Sequence, residues 1–542
     1  MTRVRGARAR LALAAVLLVV IAGAAIAVAA ALSGPSEPPP ATGAAAVVPA
    51  DALAYVHLST DGSRPAVRRA LALAAKFPDL PLFAERLANK LRVIAPGGAL
   101  SFATGVRPWL GKEAAISLLN TPASTAGTLV VLDVANAAKA HAFLSSAGIA
   151  RVGAYRGVAL FGKPPANELA FVSHYLIVGE DASVRAAIDV TNGGAPSLAG
   201  NQAYQRAAAT EADGRVLDVY ASAVGVRRLL VDHGGLLGAL GVLLYSPALS
   251  GVTLSLDVTA PGAQITIHTV LDPGLVQLGS KSSAASFTPT LTGTLPASST
   301  LALDVADLER IAPRVLNAGA TGGIAGGIGP LLSRLGAALR AQGVNVAQIE
   351  QLFEGETAIA LTPGESTPAH PAPALVIVAR TRNEAATASE LAQLEVPLAQ
   401  LLSSASSSSN SGVIPSFTQR QINGVTAHQL PVAPGLELDY AVFRGLVVVS
   451  TSLGGVGAVA STAHSLADSP AYNATLSARP SKVTSLLFLD FSQLLSLGKQ
   501  TGLIRGAVSS ALRADLSRVR AVGLVSTGGE NDSTAELTLQ IQ

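Results

Sequence analysis

Hydrophobic and polar positions along this chain fall into short runs, and the runs change period in a regular order. Leu53–Leu58 reads as a strand. Glu113–Leu119 and Leu129–Val134 are apolar runs joined by NTPASTAG, which predicts a hairpin. Short runs around Tyr155–Phe161, Leu169–Val172 and Tyr175–Val178 continue an antiparallel meander. Apolar residues at helical spacing over Arg64–Val93, with prolines in the middle, predict two helices. Asn136–Ala147, Asp181–Val190 and a segment around Tyr204 predict further helices. Val216–Tyr220 and a hairpin of VTLSLDV and QITIHTVL, turning at Ala260-Pro261-Gly262, complete the pattern. Hairpins with helices inserted between them predict an α+β fold, a largely antiparallel sheet with helices packed on one face.

The pattern is then written a second time. VVPADALAYVHL (Val47–Leu58) is matched by TLPASSTLALDV (Thr294–Val305), and WLGKEAAISL (Trp109–Leu118) by LFEGETAIAL (Leu352–Leu361). TLVVLDV (Thr128–Val134) pairs with ALVIVAR (Ala374–Arg380), ELAF (Glu168–Phe171) with ELDY (Glu437–Tyr440), and LIV (Leu176–Val178) with LVV (Leu446–Val448). SLAGNQAY (Ser197–Tyr204) is matched by SLADSPAY (Ser465–Tyr472), and both copies end in a hairpin. Order is kept throughout, so residues 47–275 and 293–542 read as two tandem duplicated units joined by a linker, residues 276–292.

The first residues follow a different rule. Leu11–Leu32 is an uninterrupted apolar run of 22 residues without charge or proline. As a helix it would reach ~33 Å, enough to cross a hydrocarbon core of about 30 Å. Arg3, Arg5, Arg8 and Arg10 precede it with no acid among them. Residues 1–10 are therefore expected to stay cytoplasmic and 11–32 to form a single-pass signal anchor in the cell membrane, leaving the bulk of the chain extracytoplasmic. A cleaved signal peptide is the competing reading, and the length of the run favours the anchor. Residues 33–46, headed by SGPSEPPPATG, read as a proline-rich spacer.

Composition narrows the function classes. Those four arginines more than account for the net charge of +3, so no basic surface remains to suggest nucleic acid. There is no cysteine, which removes disulfides, thiolate metal sites and thiol nucleophiles. Aromatics are 4% against 49% hydrophobic residues, so the cores are built of small aliphatic side chains.

Val48-Pro49-Ala50-Asp51 followed by Ala54-Tyr55, soon after an amino-terminal anchor, resembles a group of uncharacterised bacterial proteins. So does Arg107-Pro108-Trp109-Leu110-Gly111-Lys112-Glu113 ahead of a strand. That family is a domain of unknown function in anchored, extracytoplasmic proteins of high-GC bacteria. The resemblance implies location and architecture and brings no site residues.

Candidate chemistry is sparse. LVVVSTSLGGVGAVAS (Leu446–Ser461) carries Gly455-x-Gly457-x-x-Ala460, a loose dinucleotide fingerprint. Its counterpart, LIVGEDASVRAAIDV (Leu176–Val190), has Glu180 and Asp181 in the turn, which would repel a phosphate and suit a helix amino terminus. No cofactor is expected. Ser496-Leu497-Gly498-Lys499 matches the Ser-x-x-Lys nucleophile motif but lacks its supporting elements. The eight histidines, His57, His141, His174, His233, His268, His370, His428 and His464, show no metal-ligand spacing, and none faces a histidine in the other copy. Glu113 and Glu356 align beside a strand start, where a structural hydrogen bond is expected; Asp213 and Asp218 lie close but unmatched. Trp109 reads as a packing anchor. LLGALGVLLY (Leu236–Tyr245) is too short to span a bilayer; Leu236, Leu237, Leu240, Leu243 and Leu244 are candidates for contact with lipid or another apolar ligand, against a buried core helix. The glycine-rich Ala318–Leu332 and the serine tract Ser403–Gly412 complete the unusual segments.

The sequence therefore points to a non-enzymatic, membrane-anchored binding or envelope-organising protein, whose partners are the membrane through its anchor and a lipid or envelope protein. A carrier or sensor of an apolar ligand is the second expectation, and a serine-type envelope hydrolase using Ser496 and Lys499 the third.

Overall fold

Alternation along the strands sets the architecture, because each strand must find a neighbour for its backbone and a cover for its apolar side chains. The structure, a computed structural model, describes residues 38–74, 105–121, 126–162, 167–231, 246–259, 262–278, 285–306, 308, 355–363, 373–405, 416–433, 436–461, 464–494 and 518–542. The expected anchor, Leu236–Tyr245, Ala318–Leu332, Ser496 and Lys499 lie outside them. Among the described residues no helix is long and apolar enough to cross a membrane. The chain divides into two units, one built mainly on residues up to Lys281 and the other mainly on Ser282 onward.

In the first unit the strands are β1 (Ala54–Ser59), β2 (Leu110–Leu119), β3 (Gly127–Val134), β4 (Ala150–Tyr155) and β5 (Val158–Gly162). They continue with β6 (Glu168–Val172), β7 (Tyr175–Gly179), β8 (Leu217–Ser222), β9 (Leu249–Thr259) and β10 (Gly262–Leu271). Their spatial order is β4-β5-β6-β7-β3-β2-β1-β8-β9-β10, antiparallel throughout. The helices used below are α1 (Pro65–Ala74), α2 (Ala137–Ser146), α3 (Asp181–Thr191) and α4 (Gln202–Ala208).

Helices cover both faces of this sheet, not one as the sequence pattern suggested. Leu129, Val131 and Ile177 pack with Val184, Ala187 and Ile188 of α3 and Tyr204 and Ala207 of α4. The alternate residues Val130, Leu132, Leu176 and Val178 pack with Ala140, Phe143 and Leu144 of α2 and with Trp109. Two covered faces explain why β3 and β7 are apolar at consecutive positions: neither face can be left polar.

The second unit contains β11 (Leu301–Ala306), β12 (Glu356–Thr362), β13 (Ala374–Arg380), β14 (Thr418–Ile422) and β15 (Val425–Ala433). After them come β16 (Leu436–Phe443), β17 (Leu446–Ser450), β18 (Ser485–Asp490), β19 (Val519–Gly528) and β20 (Asp532–Ile541). The order is β14-β15-β16-β17-β13-β12-β11-β18-β19-β20, with the pairs from β14 to β19 antiparallel. Strand for strand this is the order of the first unit. Its helices include α5 (Glu384–Ala405), α6 (Leu453–Ala460) and α7 (Pro470–Leu476). Corresponding hairpins also turn alike, with Arg156-Gly157 and Asn423-Gly424 both at positive φ, as a two-residue turn between twisted strands requires.

The spacer expected over residues 33–46 ends sooner. Gly43–Ala46 forms a single 3-10 turn with Ala44 and Ala45 buried, and the second unit has the same turn at Leu291–Gly293, inside the expected linker. Each turn leads into a segment held by a short antiparallel bridge of two backbone bonds: Leu198 N–H donates to Val48 O (2.7 Å) and Ala50 N–H to Pro196 O (3.0 Å), and Leu466 N–H to Leu295 O (2.8 Å) and Ala297 N–H to His464 O (3.4 Å). Ala44, Ala45, Val47 and Val48 in the first unit and Leu291 and Leu295 in the second make both segments part of a core.

Candidate functional site: a buried histidine between carboxylates

Strand pairing places His57 of β1 opposite Ala115 of β2 and Asp218 of β8. On the face covered by α4, His57, Glu113 and Asp218 converge with 0%, 3% and 2% exposure. His57 Nδ1 lies 2.9 Å from Asp218 Oδ1, and Nε2 lies 3.4 Å from Glu113 Oε2, ion-pair range without a well-formed hydrogen bond. Glu113 is held in place by the Tyr175 hydroxyl (2.7 Å) and the Ala44 N–H (3.2 Å), both donating to it. Arg215 Nε bonds Asp218 Oδ1 (3.1 Å) and pairs with Glu211 (3.1 Å).

Burial opposes a charge on His57, but Asp218 and Glu113 outweigh it and raise the imidazole from 6.5 to about 9. Burial likewise works against the Glu113 carboxylate, and His57, Tyr175 and the Ala44 amide more than offset it, leaving Glu113 below its ordinary value. Glu211 is pushed up to about 8 by burial and by Asp218, against the pull of Arg215. His57 is therefore charged at neutral pH and so is Glu113, while Glu211 is biased toward its protonated form. Arg64 closes the cluster from outside, donating from Nη1 to Ser59 Oγ (3.0 Å) and Arg215 O (3.1 Å), and from Nη2 to Asp213 O (2.8 Å) and Pro38 O (3.2 Å).

At the same sheet positions in the second unit, Asp304 replaces His57, Glu356 replaces Glu113 and Leu486 replaces Asp218. Glu356 keeps the task of Glu113. It accepts from the N–H of Leu291 (2.7 Å), from Thr290 and from Arg380 Nε (3.2 Å). The aligned glutamates are thus the hydrogen-bond acceptors that fix the turn leading into each unit.

The glycine stretch Leu446–Ser461 forms β17 and α6. Ser452 caps the helix through Gly455 N–H (3.2 Å), and Glu437 Oε2 occupies the next free amide, Leu453 N–H (3.3 Å). A Cβ on Gly455 would run into Ser450 Oγ, and one on Gly457 into Ile422 Cδ1. These glycines let the helix lie against the sheet, and the position a phosphate would need already holds a carboxylate.

Among the described residues no group of three or more His, Asp or Glu side chains is arranged to hold a metal ion. The two carboxylates beside His57 engage opposite ring nitrogens, which leaves neither nitrogen for coordination. His428 makes a second, more open arrangement. Its Nδ1 lies 2.6 Å from Glu395 Oε1, which also accepts from the Tyr440 hydroxyl (2.5 Å), and its ring stacks on Tyr440 at 4.7 Å. Trp109 is buried against Phe143, its Nε1 donating to Gly105 O (2.7 Å). The leucines of Leu236–Tyr245 and the Ser496–Lys499 pair lie outside the described residues.

The His57 cluster escapes a reading of the sequence because its members are far apart: His57 and Asp218 are 161 residues apart. One signal was available. The aligned repeats set a polar residue, His57 or Asp304, at the same place in two otherwise apolar strands.

The family follows from comparison. The sequence model of DUF3352, a protein of unknown function, matches residues 11–542. The chain belongs to the DUF3352 family. No curated protein matches it. Among solved structures, this DUF3352 chain is similar to TP0453 in crystal form IV, with 13% identity and a TM-score of 0.25, over 42% of this chain and 83% of that one. Crystal form III gives 10% identity and 0.25 over 43% and 81%, and form I gives 10% and 0.26 over 43% and 79%. Likeness at this level says nothing of ligand or activity for the DUF3352 chain.

Proposed function

We propose that this DUF3352 chain is a membrane-anchored, extracytoplasmic protein of two duplicated units that works by binding or by organising the envelope, not by catalysis. One observation carries the reading: what the units share is scaffold, and what differs is chemistry. The strand order, the Glu113 and Glu356 acceptors and the segments Val48–Leu198 and Leu295–Leu466 recur, while His57 and Asp218 give way to Asp304 and Leu486. The most elaborate ionisable cluster is also sealed from solvent, where it can hold strands together but meet no substrate. The apolar run Leu11–Leu32 with its preceding arginines supports the anchor.

Complementation of a deletion strain tests the reading. Full-length chains carrying S496A, K499A or H428A should restore the phenotype, and a chain lacking residues 1–46 should leave the membrane fraction and fail to restore it. Loss of function in S496A and K499A with normal protein levels would overturn the non-enzymatic reading in favour of the hydrolase. The lipid-carrier alternative rests on Leu236, Leu237, Leu240, Leu243 and Leu244; native mass spectrometry of residues 47–542 purified from cells, with no lipid adduct in repeated preparations, would remove it.

A further inference from the structure

Asp304 and Asp439 are in a situation that the His57 cluster avoids. Both are fully buried, and neither carboxyl oxygen of either residue accepts a hydrogen bond from a donor group. Each lies beside a second carboxylate on its own face of the sheet. Glu356 pairs with Ala306, two residues along β11 from Asp304, and Glu437 stands two residues before Asp439 on β16. The hydrogen bonds found here go to these second carboxylates. Glu356 takes Thr290, Leu291 and Arg380, and Glu437 takes Gln429 Nε2 (3.0 Å) and Leu453 N–H (3.3 Å). A fully buried carboxyl with no donor of its own, set beside a second, partly buried carboxylate, strongly disfavours two charges, so the Asp keeps a proton that it can donate to its neighbour.

We propose that the second unit carries two proton-sharing carboxyl pairs, Asp304–Glu356 and Asp439–Glu437, whose deprotonation loosens its sheet and makes this unit respond to pH. The surroundings support this. Around Asp304 stand Glu356 on β12, Arg380 on β13, Tyr472 on α7 and Arg479 beyond it, with Leu486 opposite on β18. Burial first, and Glu356 second, outweigh the two arginines and push Asp304 up to about 8. Asp439 faces Glu437 on its own strand and Ser450 on β17, and burial together with Glu437 pushes it up to about 7. An acid whose folded value is raised lends stability that is complete below its unfolded value, near 4, and is lost as pH rises through the folded value. Loosening is therefore expected progressively above about pH 4, up to about 7 for Asp439 and about 8 for Asp304, and is complete by about pH 8.5. Each pair should increase the unfolding equilibrium constant by up to roughly tenfold per pH unit within its window.

Hydrogen exchange of the full chain, read by mass spectrometry at pH 6 and pH 8.5 and corrected for intrinsic rates, tests the proposal. Peptides from β11, β12, β16 and β18 should lose at least about tenfold in protection at the higher pH. In D304N and D439N, whose side chains are neutral at every pH, that loss should shrink, and in the double variant it should vanish. Infrared difference spectra between pH 6 and pH 9 should show protonated-carboxyl signals that disappear one by one in the same variants. Equal corrected protection in the wild-type peptides at both pH values would overturn the proposal without recourse to any variant. So would variants that fold but keep the full pH dependence.

Discussion

Replacing Asp218 by asparagine (D218N) isolates the energetics of the buried cluster, because it removes one charge and keeps the shape. The substitution takes the partner from His57 Nδ1 at 2.9 Å and from Arg215 Nε at 3.1 Å. The cluster raises His57 from 6.5 to about 9, a displacement that corresponds to roughly 3 kcal/mol. Breaking a buried ion pair by removing one partner costs about 3–5 kcal/mol by a separate route, so the two estimates overlap. His57 is raised above its unfolded value, so its contribution is complete below pH 6.5 and is lost as pH rises through about 9. The expected penalty of D218N is therefore about 3 kcal/mol at pH 6 and distinctly smaller at pH 9.5, where the share due to Arg215 remains. The chain supplies its own probe: its only tryptophan, Trp109, is buried in the first unit, so tryptophan fluorescence during denaturant titration reports that unit alone. A penalty below about 1 kcal/mol at pH 6, or one that does not change between pH 6 and pH 9.5, would refute the reasoning.

Other substitutions probe the neighbouring links. E113Q removes the anion that accepts from Ala44, so amide exchange over residues 43–48 should accelerate, with a stability loss of about 1–3 kcal/mol in thermal melts. G457A should destabilise the second unit by about 1–3 kcal/mol through its clash with Ile422, despite alanine's better helix propensity; unchanged melting would show that α6 can shift away from the sheet. S452A should cost about 1 kcal/mol as a lost cap, measured by the same melts. W109A should cost about 3–5 kcal/mol by leaving a cavity against Phe143, seen as a lower denaturation midpoint by circular dichroism.

Local pattern carried much of the fold. The hairpins, the strand that turns into a helix at Gly179 and Ser450, and the recurrence of the whole series could be read from spacing alone, because turns and periods are local. Register was harder. By eye LIV at Leu176–Val178 aligns with Leu446–Val448, yet pairing with β3 and β13 makes Ile177 the equivalent of Val448, one residue along. Both faces of these central strands are covered, so successive residues are all apolar and nothing in the text marks which side is inward. The same cover hid the second layer of helices. The charged cluster was least legible of all, since β1, β2 and β8 meet only after the sheet has closed around them, and polar residues at 57, 113 and 218 look solitary until then.

The exchange of His57 for Asp304 at one sheet position ties residues 57 and 218 to each other. In the first unit H57D would bring three carboxylates, at 57, 113 and 218, into one dry space. D218L made first would leave the cation with a single weak partner at 3.4 Å. Each single step leaves buried charge poorly matched, whereas the pair together sets a leucine opposite an aspartate, as Leu486 stands opposite Asp304, with Arg215 left to Glu211. The two positions are therefore epistatic, and across relatives of this chain residues 57 and 218 should change together or not at all.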